Sequence, residues 1–424
     1  MGVGGVIVEI KRNIIKVMDE ILTQFPILLI TGARQVGKTT IAEYYRDQHN
    51  YNFISLDNEE ILEKAKTNPQ QLLKDYPYPL IIDEVQRAPN LFMEITHIVN
   101  EIRRTKGSKS ARGMFILTGS QKYHLIKNVT ESMAGRVAIL EVPPLSQSEI
   151  NNQIENPFIY DSSKLENFVD RVNNYNLDEE KIYESIFKGF YPELWNENNI
   201  TPNRFYSQYI KSYLERDVSE FINVKDKRKF LDFLVLLSNQ TANDFIPENL
   251  SKHLQIDRKT VESWVSILVA GDLVTLLNPY NNSLVNIVKR RKRIYFNDVG
   301  LLCHLLKITN PKSLQTNKHK GKIIETYIFN EIKKSYLNSD ERVDFYYYRD
   351  GNKNEIDLIV HNISKGFINL IECKSNKNYS LSDVKSFKLI KNEDHPITGK
   401  LIICFTDEIY RLNGEVLVLP VTAI

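Results

Sequence analysis

"LLITGARQVGKTTIAEYY", residues 28–45, starts as an apolar strand-like run, breaks into a turn bracketed by two glycines, and resumes with Lys-Thr-Thr and helix-forming residues. Gly32, Ala33, Arg34, Gln35, Val36, Gly37, Lys38 and Thr39 fit G-x-x-x-x-G-K-[ST], and the strand "PILLI" before them and the helix "KTTIAEYY" after them are the context that motif requires. Gly32 and Gly37 allow torsions and close approaches that a Cβ blocks. Successive N–H groups and the helix start, Thr40 included, can therefore face phosphate oxygens. In this reading Lys38 neutralises the β and γ phosphates of ATP while the Thr39 hydroxyl ligates Mg²⁺.

A second strand-like run should help to hold that metal, and "PLIIDEVQRAP" supplies one ending in Asp83 and Glu84. An acidic pair closing a buried apolar strand is costly without a counter-charge, and bound magnesium removes the cost. Asp83 is expected to hold the metal and Glu84 to polarise the attacking water. "MFILTGS" places the Thr118 and Ser120 hydroxyls at the end of another apolar strand, where ligands bind in open α/β sheets; either hydroxyl would sense the γ-phosphate or position water. Arg136, beside Gly135, is a candidate arginine finger acting in cis or in trans, because a planar guanidinium stabilises charge on the transferring phosphoryl group.

The whole chain has 424 residues, 42% of them hydrophobic and 25% charged, with a formal net charge of +2. Its length implies several globular domains. The balanced charge argues against disorder and leaves any nucleic-acid partner to a local patch. Cys303, Cys373 and Cys404 are far apart and form no CxxC pair, which fits a reducing compartment without structural zinc or disulfides. No signal peptide and no apolar run long enough to span a membrane is read, so the expected place is the cytoplasm. Strands alternating with helices as far as residue 142 imply a mostly parallel sheet with helices on both faces. A helical, Asn-, Asp- and Glu-richer stretch follows, and after residue 316 come a helix and three strand-like runs.

GARQVGKTT, LIIDE, LTGSQ, AGRV and PPLSQSE together resemble the AAA-type P-loop ATPases of archaea and bacteria that carry a C-terminal domain of unknown function. The resemblance continues through "FKGFYPELW", "YIKSYLERDV" and "KRIYFNDVGLL". It implies phosphate and magnesium binding by Lys38 and Thr39, a hydrolytic pair in Asp83 and Glu84, and an arginine sensor in Arg136.

Helical patterns over residues 229–239, 247–254 and 258–270, with the short break "QID" between the last two, have helix-turn-helix spacing, and Asp257 can cap the third helix. "LVTLL" and "LVNIVKRRKRIYF" read as a following β-hairpin, so the region resembles a winged helix. DNA contact would then fall to Arg258 and Lys259 in the major groove. The run Lys289, Arg290, Arg291, Lys292 and Arg293 would grip phosphates. Asp257 and Glu262 oppose such a surface, and winged helices also dock proteins.

In the C-terminal stretch, Glu325 lies on "GKIIETYIFNEI", Asp357 in "NEIDLIV", and Glu372 and Lys374 in "LIECKS". Residues two apart on a strand share a face. If the two strands pair, Asp357, Glu372 and Lys374 meet: carboxylates to hold Mg²⁺ and a lysine to activate water against a phosphodiester. This arrangement resembles the PD-(D/E)XK nucleases, and Glu325 matches the acidic residue of their first helix. No glutamine follows on the next helix, and Glu355 crowds the site with a further acid.

The expected architecture is thus α/β and multidomain. It comprises a P-loop AAA-type core over residues 1–142, a helical lid over 143–225, a winged-helix-like domain over 226–315 and an α/β restriction-endonuclease-like domain over 316–424. The expected function is Mg-dependent ATP hydrolysis acting as a switch or motor on DNA, with possible cleavage of branched or duplex DNA and possible homo-oligomers. The alternative is a signalling-type ATPase whose C-terminal domains bind a protein partner.

Overall fold

The computed structural model describes residues 10–120, 133–154, 156–158, 165–175, 177–196, 199–213, 227–280, 291–377, 379–392 and 394–424. They divide into two compact units, one comprising Lys11–Leu145 with Leu337–Asp340, the other chiefly Ser146–Tyr336 and Glu341–Ile424.

The first unit is built on strands β1 (Ile27–Thr31), β2 (Asn52–Ser55), β3 (Leu80–Asp83), β4 (Phe115–Thr118) and β5 (Val137–Glu141), all parallel in the order β2-β3-β4-β1-β5. A parallel sheet covered on both faces needs strands that are apolar throughout rather than alternating. Every residue of β1, β3 and β4 is accordingly buried. On one face Ile27, Leu29, Leu80, Ile82, Phe115 and Leu117 pack with Leu62, Leu72, Phe92 and Ile95 from the flanking helices. Asn58 caps the helix Glu59–Thr67, accepting from the N–H groups of Glu60 and Ile61. The register pairs Ser55 with Asp83 and Ile30 with Thr118. The sheet thereby collects Thr31, Ser55, Asp83 and Thr118 along its C-terminal edge.

The second unit holds a nine-stranded mixed sheet made of β6 (Asn243–Asp244), β7 (Val274–Pro279), β8 (Arg293–Phe296), β9 (Asp344–Arg349), β10 (Glu355–Asn362), β11 (Phe367–Cys373), β12 (Ile397–Cys404), β13 (Tyr410–Leu412) and β14 (Val416–Pro420). Their spatial order is β13-β14-β12-β11-β10-β9-β7-β8-β6. The helices Pro247–Leu254 and Arg258–Ala270 have the predicted bounds, and the helix expected over 229–239 runs Lys227–Ser238. Trp264 joins the first to the third through edge-on contacts with Phe230 and Phe233. Asp257 occupies the N-cap position in an extended conformation, but its side chain makes no cap hydrogen bond, contrary to the sequence expectation.

Two boundaries differ from those predicted. The ranges 226–315 and 316–424 share one sheet, because β7 pairs in parallel with β9 through Asn278 with Tyr346 and Pro279 with Tyr347. The range expected as a lid divides at Leu145, and from Ser146 onward it belongs to the second unit. There Ser146 and Glu149 form a capping box, and the Gln147 N–H donates to buried Glu331 on the helix Lys320–Leu337 at 2.8 Å. Among the described residues no helix is long and apolar enough to cross a membrane, and Cys303, Cys373 and Cys404 carry free thiols.

Candidate functional site

The turn between β1 and the helix Lys38–His49 runs through positive φ at Gly32 (144°), Gln35 (62°) and Gly37 (94°). A Cβ on Gly32 would stand 2.3 Å from the Val142 carbonyl oxygen, so only glycine fits beside the segment leaving β5. Ala33 and Val36 are buried, Arg34 is half-buried, and Gln35, Thr39 and Thr40 are exposed. Lys38 is buried, and its Nζ folds back over the loop to donate to the carbonyls of Gly32 (3.1 Å) and Ala33 (2.7 Å). Arg12, which sequence reasoning missed, braces the same loop from outside. It donates to the Val36 carbonyl at 2.8 Å and the Pro143 carbonyl at 2.7 Å. Nothing local in "EIKRN" signals that role.

Asp83 ends β3, and hydroxyls from three neighbouring segments converge on it. Thr39 Oγ1 lies 3.1 Å from Oδ1, Ser55 Oγ donates to Oδ2 at 3.4 Å, and Thr118 Oγ1 donates to Oδ1. The Thr118 hydroxyl also accepts from the Glu84 N–H at 3.3 Å. Thr118 thus ties the Asp83 carboxylate to the Glu84 backbone rather than standing free. Glu84 adopts φ of 55°, a left-handed conformation uncommon for a long side chain, and Gln86 donates to its carboxylate. Ser55 and Gln86 were not predicted; their link to the acids comes from the sheet edge and a tight turn. Ser120 is buried two residues beyond β4.

Arg136 is placed elsewhere. It precedes β5, and its carbonyl accepts from Ile27 N–H at the start of β1. β1 and β5 run parallel from Ile27 with Val137 to Thr31 with Glu141, so about 13 Å of strand separates Arg136 from the glycine turn of its own chain. Its guanidinium donates to Asn100 Oδ1 (2.6 Å) and to the Ala134 carbonyl (2.8 Å). The strand register thus holds the Arg136 backbone at the end of β5 away from the glycine turn of its own chain.

In the second unit β10 and β11 are antiparallel, with Leu358 opposite Ile371; the same register sets Asp357 opposite Glu372. A bulge between Ile356 and Ile359 falls at Asp357, and bulges of this kind re-aim side chains. The Cys373 N–H donates to Asp357 Oδ2 at 2.9 Å. Lys374 Nζ lies 2.9 Å from Glu372 and 3.0 Å from Asp383. Glu325, on the buried helix, accepts from Tyr295 (2.8 Å), Lys322 (3.0 Å) and Arg293 (3.1 Å).

Arg293 is the largest departure from the sequence reading. It was expected to grip phosphates from an exposed basic run, yet it is 0% exposed. Its guanidinium pairs with Glu325 and Glu355, stands 3.8 Å from Asp357, and lies over the Tyr347 ring at 4.4 Å. Burial opposes its charge, but Tyr295, Glu325, Glu355 and Asp357 together outweigh burial and hold its pKa above the usual value. Burial raises Asp357, with Glu325 adding to the shift, and raises Glu372, with Asp357 adding. Against its own burial, Glu355 is lowered by Arg293. With a guanidinium among the carboxylates, the residues present do not fit a metal. Among the described residues no group of three or more His, Cys, Asp or Glu side chains is arranged to hold one.

Of the remaining basic residues, Arg258 is tied by its own acids, Glu248 at 2.7 Å and Glu262 at 2.8 Å. Lys259, Arg291 and Lys292 are exposed; Lys289 and Arg290 lie outside the described residues.

Comparison with known proteins matches residues 24–151 to the AAA domain, 179–312 to a domain of unknown function (DUF8612) and 320–424 to another (DUF4143). An uncharacterized protein of Mycobacterium tuberculosis is 24% identical over 354 residues, 82% of this chain and 71% of that protein. One of Methanocaldococcus jannaschii is 23% identical over 401 residues, 90% of this chain and 82% of that protein. A solved Walker-type ATPase of Pyrococcus abyssi aligns over 69% of this chain and 94% of its own, at 14% identity and a TM-score of 0.42. The P-loop on its five-stranded parallel sheet and the match over residues 24–151 identify an AAA-type ATPase domain, followed in the same chain by a C-terminal DUF4143 domain.

Proposed function

We propose that the protein hydrolyses ATP in a magnesium-dependent reaction and uses the cycle as a switch on DNA. The observation that carries the ATPase is the meeting of Thr39 and Asp83, 44 residues apart in sequence, within 3.1 Å at the C-terminal edge of the sheet, next to the buried Lys38. A hydroxyl and a carboxylate are oxygen donors suited to magnesium, which usually keeps several waters and substrate phosphates as its other ligands. Bound there, the metal would neutralise charge on the phosphates. Lys38 binds the β and γ phosphates, and the turn from Gly32 to Gly37 supplies N–H groups to them. Glu84 orients and deprotonates the attacking water, with its backbone fixed by Thr118 and its side chain by Gln86. Ser120 lies beyond the same strand edge, suited to sensing the γ-phosphate. Arg136 completes the site of another copy of the chain, since its own turn is a strand length away.

The test separates binding from turnover. Lys38→Ala should abolish binding of a fluorescent ATP analogue, whereas Glu84→Gln should bind it but hydrolyse ATP about 10²–10⁴ times more slowly. Equal loss of affinity in both would overturn the division of roles. Mixing Arg136→Ala with Lys38→Ala chains should restore part of the activity if Arg136 acts in trans.

The DNA reading rests on the three helices, the hairpin β7–β8 and the exposed Lys259, Arg291 and Lys292, an arrangement resembling a winged helix. Binding to duplex DNA should weaken steeply with salt through counterion release. A second reading, a protein-docking module, is favoured by one observation: Arg258 and Arg293 both spend their charge on internal acids. Absence of DNA binding at low salt selects it. The nuclease-like reading of residues 316–424 rests on Asp357 facing Glu372 across β10 and β11 beside a bulge, and no cleavage step is assigned while Arg293 stands among the acids.

A further inference from the structure

Gln86 sits in a turn that the fold anchors on both sides. Val85 is buried in the core cluster with Leu80 and Ile82. The Arg87 N–H donates to the Glu84 carbonyl at 3.1 Å, and the Arg87 guanidinium pairs with Asp57 at 2.7 Å and Glu59 at 3.3 Å. Between these anchors the left-handed Glu84, with φ of 55°, folds the chain so tightly that the side chains of Glu84 and Gln86 meet. The Gln86 Nε2 donates to Glu84 Oε2.

That contact fixes which way the amide faces, since the reverse would set its oxygen against a carboxylate oxygen. Gln86 Oε1 is thereby left as an acceptor, and it is buried with no hydrogen-bond partner among the described residues. Buried acceptors are nearly always paired, so an orphan beside a functional acid asks for a donor. The other carboxylate oxygen of Glu84, Oε1, also has no partner among the described residues. Two free acceptors on side chains bonded to each other match one molecule that carries two donor hydrogens. Directly after Asp83, which Thr39 approaches to 3.1 Å, that molecule is the water consumed by ATP hydrolysis.

We propose that Gln86 is a second catalytic residue of ATP hydrolysis, accepting one hydrogen of the attacking water at Oε1 while Glu84 takes the other as a proton. The inference rests on the ATPase reading and adds a residue to it. A water held by one acceptor still turns about that hydrogen bond. Held by two, it presents a lone pair in one direction, so its orientation is settled before the reaction. As the water oxygen bonds the γ-phosphorus, the bond to the β–γ bridging oxygen breaks and its electron pair leaves on ADP. One proton passes to Glu84, and the other stays on the product phosphate, on the side that Gln86 faces.

The experiment uses the full chain and separates the two ends of the amide, measuring single-turnover ATP hydrolysis beside binding of a fluorescent ATP analogue. Gln86→Lys keeps a donor toward Glu84 and has no acceptor, whereas Gln86→Glu, once protonated, presents donor and acceptor as glutamine does. Gln86→Lys should slow hydrolysis about tenfold or more, the loss of one hydrogen bond to the water in the transition state. Gln86→Glu should recover toward wild type as the pH falls from about 8 to about 6, because two adjacent carboxylates repel and one takes up a proton. Both should bind the analogue within about twofold of wild type, which also shows that they fold. The proposal is overturned if Gln86→Lys hydrolyses ATP within about twofold of wild type, since the tie to Glu84 is then all that matters. It is equally overturned if Gln86→Glu is no faster than Gln86→Lys at the lower pH. Should Gln86→Lys fail to bind the analogue, Gln86→Met is read in its place, and loss of analogue affinity in step with turnover in both gives Gln86 a structural role and overturns the proposal. A wild type that hydrolyses no ATP defeats the ATPase reading and this assignment with it; activity lost in Glu84→Gln but kept in Gln86→Lys defeats this assignment alone.

Discussion

Two buried acid sites in this chain are stabilised in opposite ways. Asp83 in the first unit takes hydrogen bonds from the hydroxyls of Thr39, Ser55 and Thr118. Glu325 and Asp357 in the second unit gather around the guanidinium of Arg293. Hydroxyls satisfy the lone pairs of a carboxylate and leave its charge uncancelled, so the site keeps a negative charge with no cation of the chain to balance it among the hydrogen bonds described. A guanidinium satisfies geometry and charge together, and nothing is left for a metal to do. The same residue type, buried to a similar degree, is prepared for chemistry in one unit and neutralised in the other.

The largest effect should separate the two in turnover. Glu84→Gln is expected to slow single-turnover ATP hydrolysis by about 10²–10⁴, the usual contribution of a general base, while Asp357→Asn leaves it within twofold. An equal loss from Asp357→Asn would merge the two sites into one system and break the comparison.

Stability should show the reverse order. Arg293→Ala strands buried charge and should cost about 3–5 kcal/mol; Asp83→Asn keeps neutral partners for its hydroxyls and should cost about 1 kcal/mol. Both tryptophans, Trp195 and Trp264, lie in the second unit, so their fluorescence during urea unfolding reads the Arg293 effect there. The Asp83 effect needs a probe placed in the first unit. A cost below about 1 kcal/mol for Arg293→Ala would mean that the cluster does not depend on its cation.

A smaller effect concerns pH. Burial raises the Glu372 pKa, with Asp357 adding to the shift. The folded state therefore prefers the protonated acid. Its stabilising contribution is full below the usual carboxylate range and is lost as pH rises through the raised value. Tryptophan-monitored stability of the second unit should fall between pH 5 and pH 8, and Glu372→Gln should flatten that slope. An unchanged slope in the variant would place the titration elsewhere.

The smallest effect tests the exposed basic residues. Lys259→Ala should lower the salt slope of DNA binding by about 1, whereas Arg258→Ala, whose charge is held by Glu248 and Glu262, should lower it by less. A larger drop from Arg258→Ala would show that DNA displaces those internal pairs.

How far the sequence could be read followed the range of the interactions. The helices Pro247–Leu254 and Arg258–Ala270 were legible to the residue because the helical apolar spacing and the short break "QID" between them act within a few positions. The surroundings of Arg136 and Arg293 were not. Their neighbours in sequence, a glycine and a basic run, pointed to phosphate, but their neighbours in space are set by the register of β1 with β5 and of β8 with β6 and β7. Arg12, Ser55 and Gln86 carried no local signal, since each acts through hydrogen bonds to a distant or sharply turned segment.

By itself the sequence determined the glycine turn, its lysine and threonine, and the acids that close an apolar strand, because eight consecutive residues dictate the backbone path that presents N–H groups to phosphate. Only the tertiary structure decided that Thr118 ties the Asp83 carboxylate to the Glu84 backbone, that residues 226–315 and 316–424 share one sheet, and that a cation read as surface charge is the buried counter-ion of three carboxylates. Strand pairing acts across tens of residues, and one step of register decides which side chains meet and which face they share.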